Sequence, residues 1–270
     1  MTTVPSALRR RWWGVVAAVS IAAGLVVLAL ARRFAPAVAG RWLAGTALPL
    51  GFLAWTLRRS LSDNRPPADA SESGVYPALG VANGITLLRG GLYAGLGGFL
   101  LVVPPAGSAW RWVPAVAYGA GIGLDWVDGA IARAVRRPTR LGERLDLAFD
   151  TMGFLLAPVI GVVWGALPVW YLSVSAARYL FKLGCWLRER RGLPVGELPD
   201  SRVRRPLAAL QMLAIAVALV PVVPASVSWP LATVAMVPTL LVFLRDYQSV
   251  TGRQGRENSK ERTPVTGMDE

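Results

Sequence analysis

Long apolar runs recur along the chain, and short basic, proline-containing or polar segments separate them. Eight runs of about 16–22 residues stand out, at residues 12–31, 42–57, 85–104, 112–134, 145–166, 168–187, 206–223 and 229–244. Each is long enough to cross a hydrocarbon layer of roughly 30 Å as an α-helix. Because backbone groups in lipid must be satisfied within the segment, runs of this length favour helices over barrel strands. The pattern predicts an all-α integral membrane protein with about eight transmembrane helices.

Two polar stretches interrupt this pattern and indicate where the parts of the chain meet. Residues 60–79 are rich in Ser, Asp, Pro and Gly, as a linker is, and the residues after Arg245 are polar and charged. We therefore predict an N-terminal transmembrane hairpin, a polar linker, a six-helix membrane domain and a disordered cytoplasmic tail, at 1–59, 60–79, 80–245 and 246–270.

The N-terminal run allows a second interpretation, a cleaved signal peptide. Arg9, Arg10 and Arg11 precede the apolar run, and a small-residue site follows at residues 37–39. The run is long for a signal peptide, however, and Arg32 and Arg33 interrupt it before that site. This arrangement favours a membrane hairpin.

Composition narrows the class of protein further. The chain is 54% hydrophobic with a formal charge of +13, and in a membrane protein such basic charge gathers near anionic headgroups rather than indicating a nucleic-acid partner. With the N-terminus inside, 25 of the 29 basic residues fall on or near the inner side. The sequence has no histidine. Its single cysteine, Cys185, excludes an internal disulfide and a cysteine-rich metal site.

Four aspartates lie within or beside the fourth and fifth apolar runs: Asp125, Asp128, Asp146 and Asp150. A charged side chain near the centre of a bilayer costs roughly 2.5–3.5 kcal/mol, so their presence requires compensation. The first two precede Pro138 by 13 and 10 residues, and the last two follow it by 8 and 12. Antiparallel helices leaving a turn at Pro138 would carry them at similar depths, with each pair on one helix face. We expect them to form one group, here called the aspartate cluster.

Clustered carboxylates without His or Cys suit hard divalent cations, so Mg²⁺ or Mn²⁺ is the expected cofactor. Two such ions about 3.5–4 Å apart can clamp a pyrophosphate and stabilise the attacking and leaving oxygens together. Basic residues that suit a phosphate substrate flank the cluster: Arg133, Arg136, Arg137, Arg140 and Arg144. Two other interpretations are carboxylates paired with these arginines for topology alone, and a cation or proton pathway.

The residues from Asp125 to Asp150 follow the pattern D-x2-D-G-x2-A-R-x8-G-x3-D-x3-D. This pattern resembles the signature of the CDP-alcohol phosphotransferase family, and the resemblance covers roughly residues 80–245. It implies a catalytic six-helix domain that transfers a phosphatidyl group from CDP-diacylglycerol to a small alcohol, or to a sugar or glycerol phosphate, with release of CMP. It further implies a homodimer that makes phospholipid in the cytoplasmic membrane, with its active site facing the cytoplasm.

The resemblance also implies roles for individual residues. The four aspartates would hold two divalent ions, and Asp150 would in addition take the proton of the alcohol. Gly129 would let the cytidine nucleotide approach the backbone, Arg133 would bind the donor phosphates, and Thr139 would contact the nucleotide.

A segment upstream of the cluster, Asn83-Gly-Ile-Thr86-Leu-Leu-Arg89, resembles the family's N-x-x-T-x-x-R opening of its first helix. The resemblance implies that Asn83 and Thr86 contact the CDP-lipid. The alternative is that Asn83 caps the start of the helix, because Asn is a favourable N-cap residue.

A segment downstream, residues 201–211, resembles an S-x2-G-K-x2-T-x2-Q pattern of members that use glycerol phosphate. It departs from that pattern at three positions: Arg204, Arg205 and Ala208. Arg178, Lys182 and Arg205 are candidates for binding an anionic acceptor, and anchoring of helix ends to lipid headgroups is the alternative role.

Three other functions compete with a CDP-lipid phosphotransferase. They are a non-catalytic relative or membrane interaction protein, a transporter that binds cations at the aspartate cluster, and an intramembrane prenyltransferase. The prenyltransferase opening N-D-x2-D is missing here, because Leu124 precedes Asp125. The sequence does not identify the acceptor alcohol.

Overall fold

The computed structural model describes residues 5–66, 74–135, 139–196, 198 and 201–252, and the side chains of residues 130–135 lie outside that description. Within these ranges the chain forms eight α-helices: α1 (Ser6–Arg33), α2 (Pro36–Ser60), α3 (Val81–Leu96), α4 (Val113–Val135), α5 (Arg140–Val163), α6 (Leu172–Arg190), α7 (Arg204–Ala218) and α8 (Ala225–Thr251). Short 3-10 turns occur at Leu61–Asp63, Gly97–Leu100, Ala109–Trp112 and Val169–Tyr171. The described residues contain no strand, so the predicted all-α fold is confirmed.

The surfaces of the helices are those of a membrane protein. Four helices of the described chain are long and apolar enough to cross a membrane, at Ser6–Arg33, Pro36–Asp63, Arg140–Val163 and Ala225–Thr251. The 28-residue helix α1 buries three side chains and leaves apolar residues such as Ile21 and Leu25 exposed. A surface of this kind is unfavourable in water and is typical of a helix that faces lipid. The chain is an integral membrane protein.

Each of the eight predicted apolar runs overlaps one helix, but the bounds of the runs and the helices differ. The α3 helix ends at Leu96, although the run continues to residue 104. Gly97 and Gly98 favour the tighter 3-10 turn that follows it, and Pro104 and Pro105 cannot continue a helix. With 16 residues, α3 is about 24 Å long, less than the hydrocarbon thickness of roughly 30 Å.

Two compact units make up the chain. The first holds α1–α5 with Leu219–Val223, and the second holds α6–α8. In the first unit, α2 packs closely against the turn after α3, because Gly45 and Gly97 have no Cβ atoms and their backbones are in contact. The N-terminal hairpin is thus packed against the helices that carry the aspartate cluster. The division into a hairpin at 1–59, a linker at 60–79 and a catalytic domain from residue 80 stays a prediction.

The first residues of the predicted linker are folded. Asp63 and Asn64 are buried, and the Asn64 side-chain amide donates hydrogen bonds of 2.9 Å to the carbonyl oxygens of Tyr76 and Ala78. These bonds close the segment into a loop ahead of α3. Residues 67–73 of the linker lie outside the described residues.

The last helix extends beyond the predicted boundary at residue 245 and ends at Thr251. The buried Asp246 explains the extension, because it pairs with Arg204 at 2.8 Å and with Arg245 at 2.9 Å within the second unit. A predicted tail that begins at residue 246 is therefore wrong for residues 246–251, and residues 253–270 lie outside the described residues.

Candidate functional site

The aspartate cluster forms where α3, α4 and α5 meet in the first unit. One carboxylate oxygen from each of Asp125, Asp128 and Asp146 lies within 4.8 Å of the others. Asp125 and Asp128 belong to α4, and Asp146 belongs to α5, so the predicted meeting of the two helices is confirmed for these three residues. Asp150 lies one turn further along α5 and contacts the same central group.

That central group is the guanidinium of Arg89, which α3 places among the carboxylates. The Arg89 side chain is fully buried and forms ion pairs with Asp125 and Asp146. Its Nη1 atom also lies 3.4 Å from Oδ1 of Asp150. One arginine thereby joins the carboxylates of α4 to those of α5.

A threonine on the same helix holds the most buried of the aspartates. The Thr86 hydroxyl lies 2.8 Å from Oδ2 of Asp128 and 3.0 Å from the carbonyl oxygen of Ala82, and its single proton serves one of these acceptors at a time. Asp128 is buried, whereas the side chains of Asp125 and Asp146 are 37% and 47% exposed. The cluster is therefore closed on the Asp128 side and accessible on the side of the other two.

The starts of α3 and α5 are joined by side chains that precede the cluster. The Asn83 amide lies 3.2–3.3 Å from the Thr139 hydroxyl, which also accepts a hydrogen bond of 3.0 Å from the backbone N–H of Gly142. Thr139 is thus the N-cap of α5. A Cβ atom at Gly142 would lie 2.8 Å from the Asn83 side-chain oxygen, so the motif glycine permits this close approach.

The start of α3 excludes one of the two interpretations of Asn83, that of a helix cap. Gly80 occupies the N-cap position of α3 and Asn83 lies inside the helix, so Asn83 is not the cap. Its amide also lies 3.4 Å from the side-chain oxygen of Asn64, which links it to the folded start of the linker. Asn83 and Thr139 position helices in this structure, and their proposed contacts with the CDP-lipid stay a prediction.

A second set of contacts joins the linker to the N-terminal part of α5. Asp63 forms an ion pair with Arg144, and the Arg140 backbone N–H donates a 3.1 Å hydrogen bond to the carbonyl oxygen of Arg65. Of the flanking arginines predicted to face phosphate, Arg144 thus directs its side chain to Asp63, whereas the contact of Arg140 with this segment is through its backbone. The flanking Arg136 and Arg137 lie outside the described residues, as does the side chain of Arg133.

Below the cluster, helix packing depends on a tyrosine and two glycines. Tyr93 lies one turn beyond Arg89 on α3 and is almost fully buried. Its ring occupies the space that a Cβ atom would take at Gly121 of α4 or at Gly153 of α5. The three helices thus pack around one aromatic ring, which sets their spacing directly beneath the carboxylates.

The residues present fit a divalent metal. The four aspartates and Arg89 together carry a net charge of −3, which favours additional cations. Oxygen ligands of one Mg²⁺ ion lie about 2.0–2.1 Å from it, so two of them are at most about 4.2 Å apart. Carboxylate oxygens within 4.8 Å of one another need only small rotations to reach that spacing. Oxygen ligands of this kind suit Mg²⁺ or Mn²⁺.

Other predicted site residues fall in different places. Gly129 follows Asp128 on α4. Arg178 and Lys182 lie one turn apart on α6, and Arg205 is the second residue of α7, all in the second unit. Their role in acceptor binding stays a prediction.

The last residue of the downstream pattern, Gln211, has a structural role in the second unit. It is buried, lies 2.5 Å from the Tyr171 hydroxyl, and donates a hydrogen bond of 2.7 Å to the carbonyl oxygen of Ala235. Its amide nitrogen also lies 2.9 Å from the Thr239 hydroxyl. Gln211 therefore joins α7 to α8 and to the turn before α6.

Arg89 is the site residue that the sequence analysis missed. Arg89 is the last residue of the N-x-x-T-x-x-R segment, for which the sequence predicts contacts of Asn83 and Thr86 alone. Asn83, Thr86 and Arg89 are spaced three residues apart, a spacing that places them along one side of a helix. That spacing was the available signal, because the first two were already candidates for the same site.

Comparison with known proteins agrees with the motif. A profile of the CDP-alcohol phosphatidyltransferase family matches residues 79–244, well over half of the chain. Proteins named "Putative cardiolipin synthase" from Mycobacterium bovis and Mycobacterium tuberculosis are 32% identical over 88 residues, which is 31% of this chain and 42% of those relatives. The match thus spans less than half the length of the curated relatives, and no solved structure matches significantly. By the extent of the profile match, the chain belongs to the CDP-alcohol phosphatidyltransferase family.

Proposed function

We propose that this protein transfers a phosphatidyl group from CDP-diacylglycerol to a small alcohol or to a sugar or glycerol phosphate, releasing CMP. The observation that carries the proposal is the meeting of Asp125, Asp128 and Asp146 within 4.8 Å, inside the segment that matches the family. The helices long and apolar enough to cross a membrane support a lipid donor. The product would be a phospholipid.

The aspartate cluster would hold the cofactor. Asp125, Asp128, Asp146 and Asp150 would bind two divalent ions, Mg²⁺ or Mn²⁺, which when bound neutralise the charge of the donor pyrophosphate and stabilise the attacking and leaving oxygens.

Arg89 and Thr86 act by holding carboxylates in place. Arg89 contacts one oxygen each of Asp125 and Asp146, which leaves the second oxygen of each available on the accessible side. Thr86 contacts one oxygen of Asp128 in the same way. Since catalytic groups must be held to within about 0.5 Å of a productive geometry, these contacts prearrange the site.

The proton of the alcohol needs an acceptor, and no histidine exists in the sequence. In the proposed reaction the alcohol oxygen attacks the phosphorus that carries diacylglycerol, and the bond from that phosphorus to the oxygen of CMP breaks. The alcohol proton passes to Asp150, and CMP leaves with the bond electrons. Asp150 has a side chain that is 27% exposed, so a substrate hydroxyl can reach it.

The two substrates would be recognised by different parts of the chain. Gly129, Arg133 and Thr139 would contact the nucleotide and phosphates of the donor, as the family motif implies. Arg178, Lys182 and Arg205 would bind an anionic acceptor if the alcohol carries a phosphate. We further propose that the protein is a homodimer of the cytoplasmic membrane with this site facing the cytoplasm.

The proposal is tested with the purified protein in vesicles that contain CDP-diacylglycerol and Mn²⁺ or Mg²⁺. Glycerol phosphate, inositol phosphate, serine and a phospholipid are supplied in turn, and CMP and the lipid product are identified. We expect CMP release with one class of acceptor and none after Asp128→Asn. Asp63→Asn is the matched control, because Asp63 is also buried and paired but lies outside the cluster, and it should stay active.

The same experiment separates the competing functions. Absence of CMP with every acceptor, from protein that retains its helix content, would contradict the proposal and favour a non-catalytic relative. Cation or substrate flux into vesicles that lack CDP-lipid would favour a transporter.

A further inference from the structure

Five exposed arginines gather at one end of the hairpin that α1 and α2 form. They are here called the basic patch: Arg9, Arg10, Arg11, Arg58 and Arg59. The first three lie in the first two turns of α1, and the other two lie in the last turn of α2. The two helix ends are in contact, because the Trp12 indole N–H donates a 2.8 Å hydrogen bond to the carbonyl oxygen of Ala54.

The positive charge of the basic patch has no compensating carboxylate in the hairpin. No Asp or Glu precedes Asp63 in the sequence, and Asp63 pairs with Arg144 and Arg65. Among the residues that the structure describes, none of the five arginines forms an ion pair with a carboxylate. The patch therefore attracts anions that are not part of the hairpin.

Tryptophan rings order two arginines of the patch. The guanidinium carbon of Arg58 lies 5.2 Å from the centre of the Trp12 ring, and that of Arg59 lies 5.5 Å from the centre of the Trp55 ring. Both are distances of a cation–π contact. A guanidinium that stacks on a ring can still donate its in-plane N–H groups, and this planar fork matches the oxygens of a phosphate. The stacking therefore prepares both side chains for a phosphate ligand.

The tryptophans also indicate the depth of the patch in a membrane. Trp13 and Trp55 are exposed near the ends of two helices that are long and apolar enough to cross the bilayer. Exposed tryptophans at such positions gather at the level of the lipid headgroups. Clustered arginines at this level attract anionic lipids. A zwitterionic headgroup fits less well, because its cationic group is repelled by the other arginines of the patch.

The patch lies at the same end of the first unit as the aspartate cluster. Directly after α2, the Leu61–Asp63 turn brings Asp63 to Arg144, which is two residues before Asp146 on α5. All five arginines nevertheless precede residue 79, where the match to the family begins. A lipid on the patch is thus held beside the aspartate cluster by residues that the family motif does not include.

We propose that the basic patch binds the headgroup of an anionic phospholipid that is not the donor, with Arg58 and Arg59 on its phosphate. The statement that this lipid is not the donor rests on the proposed function, which puts the donor phosphates at the aspartates. The binding of an anionic phospholipid does not rest on it.

The test is native mass spectrometry of the full chain in detergent, titrated with phosphatidylglycerol or with phosphatidylcholine of the same acyl chains. We expect the wild type to bind phosphatidylglycerol more tightly by about tenfold or more. The double variant Arg58→Gln, Arg59→Gln should lower the affinity for phosphatidylglycerol about 10- to 30-fold. Equal affinity of the wild type for the two lipids, or unchanged affinity in this variant, would overturn the proposal.

A matched control is available at the other end of α1. Arg32→Gln, Arg33→Gln removes two exposed arginines from the same hairpin but leaves the basic patch intact. This variant should bind phosphatidylglycerol as the wild type does. Equal losses of affinity in the two double variants would show attraction by net charge without a site, and would also overturn the proposal.

Two further arms separate lipid binding at the patch from the proposed function. Asp128→Asn should bind phosphatidylglycerol as the wild type does, and excess CDP with Mn²⁺, the donor headgroup without its lipid, should not displace it. Loss of binding in either arm would show that the patch belongs to the donor site and would overturn the inference, even if the protein is an active transferase. A protein that forms no CMP but binds phosphatidylglycerol through the patch would contradict the proposed function alone.

Discussion

Replacing Arg89 with methionine removes the cation that the structure places against the aspartate cluster while keeping much of the buried side-chain volume. Arg89 is fully buried and pairs with Asp125 and Asp146, and its guanidinium also lies near Asp150. In the variant, the net charge of the cluster changes from −3 to −4 when no metal is bound. We expect the metal-free protein to be strongly destabilised.

The magnitude follows from the burial of the partners. Removing one member of a buried ion pair costs about 3–5 kcal/mol. Asp125 and Asp146 are 37% and 47% exposed, so solvent screening places the cost at the lower end, about 3 kcal/mol. For a chain of this size, that loss lowers the unfolding midpoint by about 6–12 °C. Mn²⁺ should restore more stability to the variant than to the wild type, because it supplies the missing positive charge.

The assay is thermal unfolding in detergent, followed by tryptophan fluorescence with a chelator or with Mn²⁺. Arg111→Met is the matched control, since Arg111 lies over the Trp164 ring and forms no ion pair with a carboxylate of the described residues. That change should cost about 0.5–1 kcal/mol and leave the effect of Mn²⁺ unchanged. Arg89→Lys keeps the charge and should recover part of the loss. Equal midpoints for Arg89→Met and the wild type without metal would refute the reasoning.

Four further predictions concern the same site. Asp150→Asn should abolish CMP formation in the vesicle assay while the protein still inserts into membranes, because the alcohol proton loses its acceptor. Thr86→Val should weaken Mn²⁺ binding, measured by calorimetry, by roughly tenfold, since it removes a hydrogen bond to Asp128 worth about 1.5 kcal/mol. Gly153→Ala should lower the unfolding free energy by about 1–3 kcal/mol in denaturant titrations, because its Cβ would lie 2.8 Å from the ring of the buried Tyr93. Removal of divalent ions by EDTA should stop turnover, and Mn²⁺ should restore it.

Each of these four predictions would be contradicted by a specific result. Normal turnover by Asp150→Asn would remove the base assignment and leave the metal role intact. Unchanged Mn²⁺ affinity in Thr86→Val would show that this hydroxyl does not orient Asp128. A Gly153→Ala protein as stable as the wild type would mean that the Tyr93 ring can shift without cost. Turnover that continues in EDTA would contradict metal dependence.

The meeting of the aspartates could be predicted because it depends on local geometry. Residues three or four apart share a helix face, and in the sequence Pro138 lies between the two apolar runs that carry the aspartates. Both constraints come from the local sequence and do not depend on how the other helices pack. Spacing alone groups Arg89 with Asn83 and Thr86, but its contact with the aspartates could not be predicted, because a single sequence does not say which side of α3 faces α4 and α5.

The linker and the last helix show a second limit of sequence analysis. Asp63 and Asn64 have the composition of an exposed loop, yet both are buried. Their burial depends on Arg144 and Asn83, which lie at distant positions in the sequence. Asp246 is similar, since a charged residue after an apolar run suggests the end of a helix unless its partner is known. Whether polar residues of this kind are buried or exposed depends on the residues with which they pair. Those pairings are known only from the tertiary structure.

The central claim is that the aspartate cluster catalyses transfer of a phosphatidyl group. The most direct measurement uses CDP-diacylglycerol that is radiolabelled in the phosphate next to diacylglycerol, together with Mn²⁺ and the acceptor found in the panel. The account predicts that the label appears in the new phospholipid and that the released CMP is unlabelled, and that Asp128→Asn forms neither product. Label in the released nucleotide, or turnover that persists in Asp128→Asn, would contradict it.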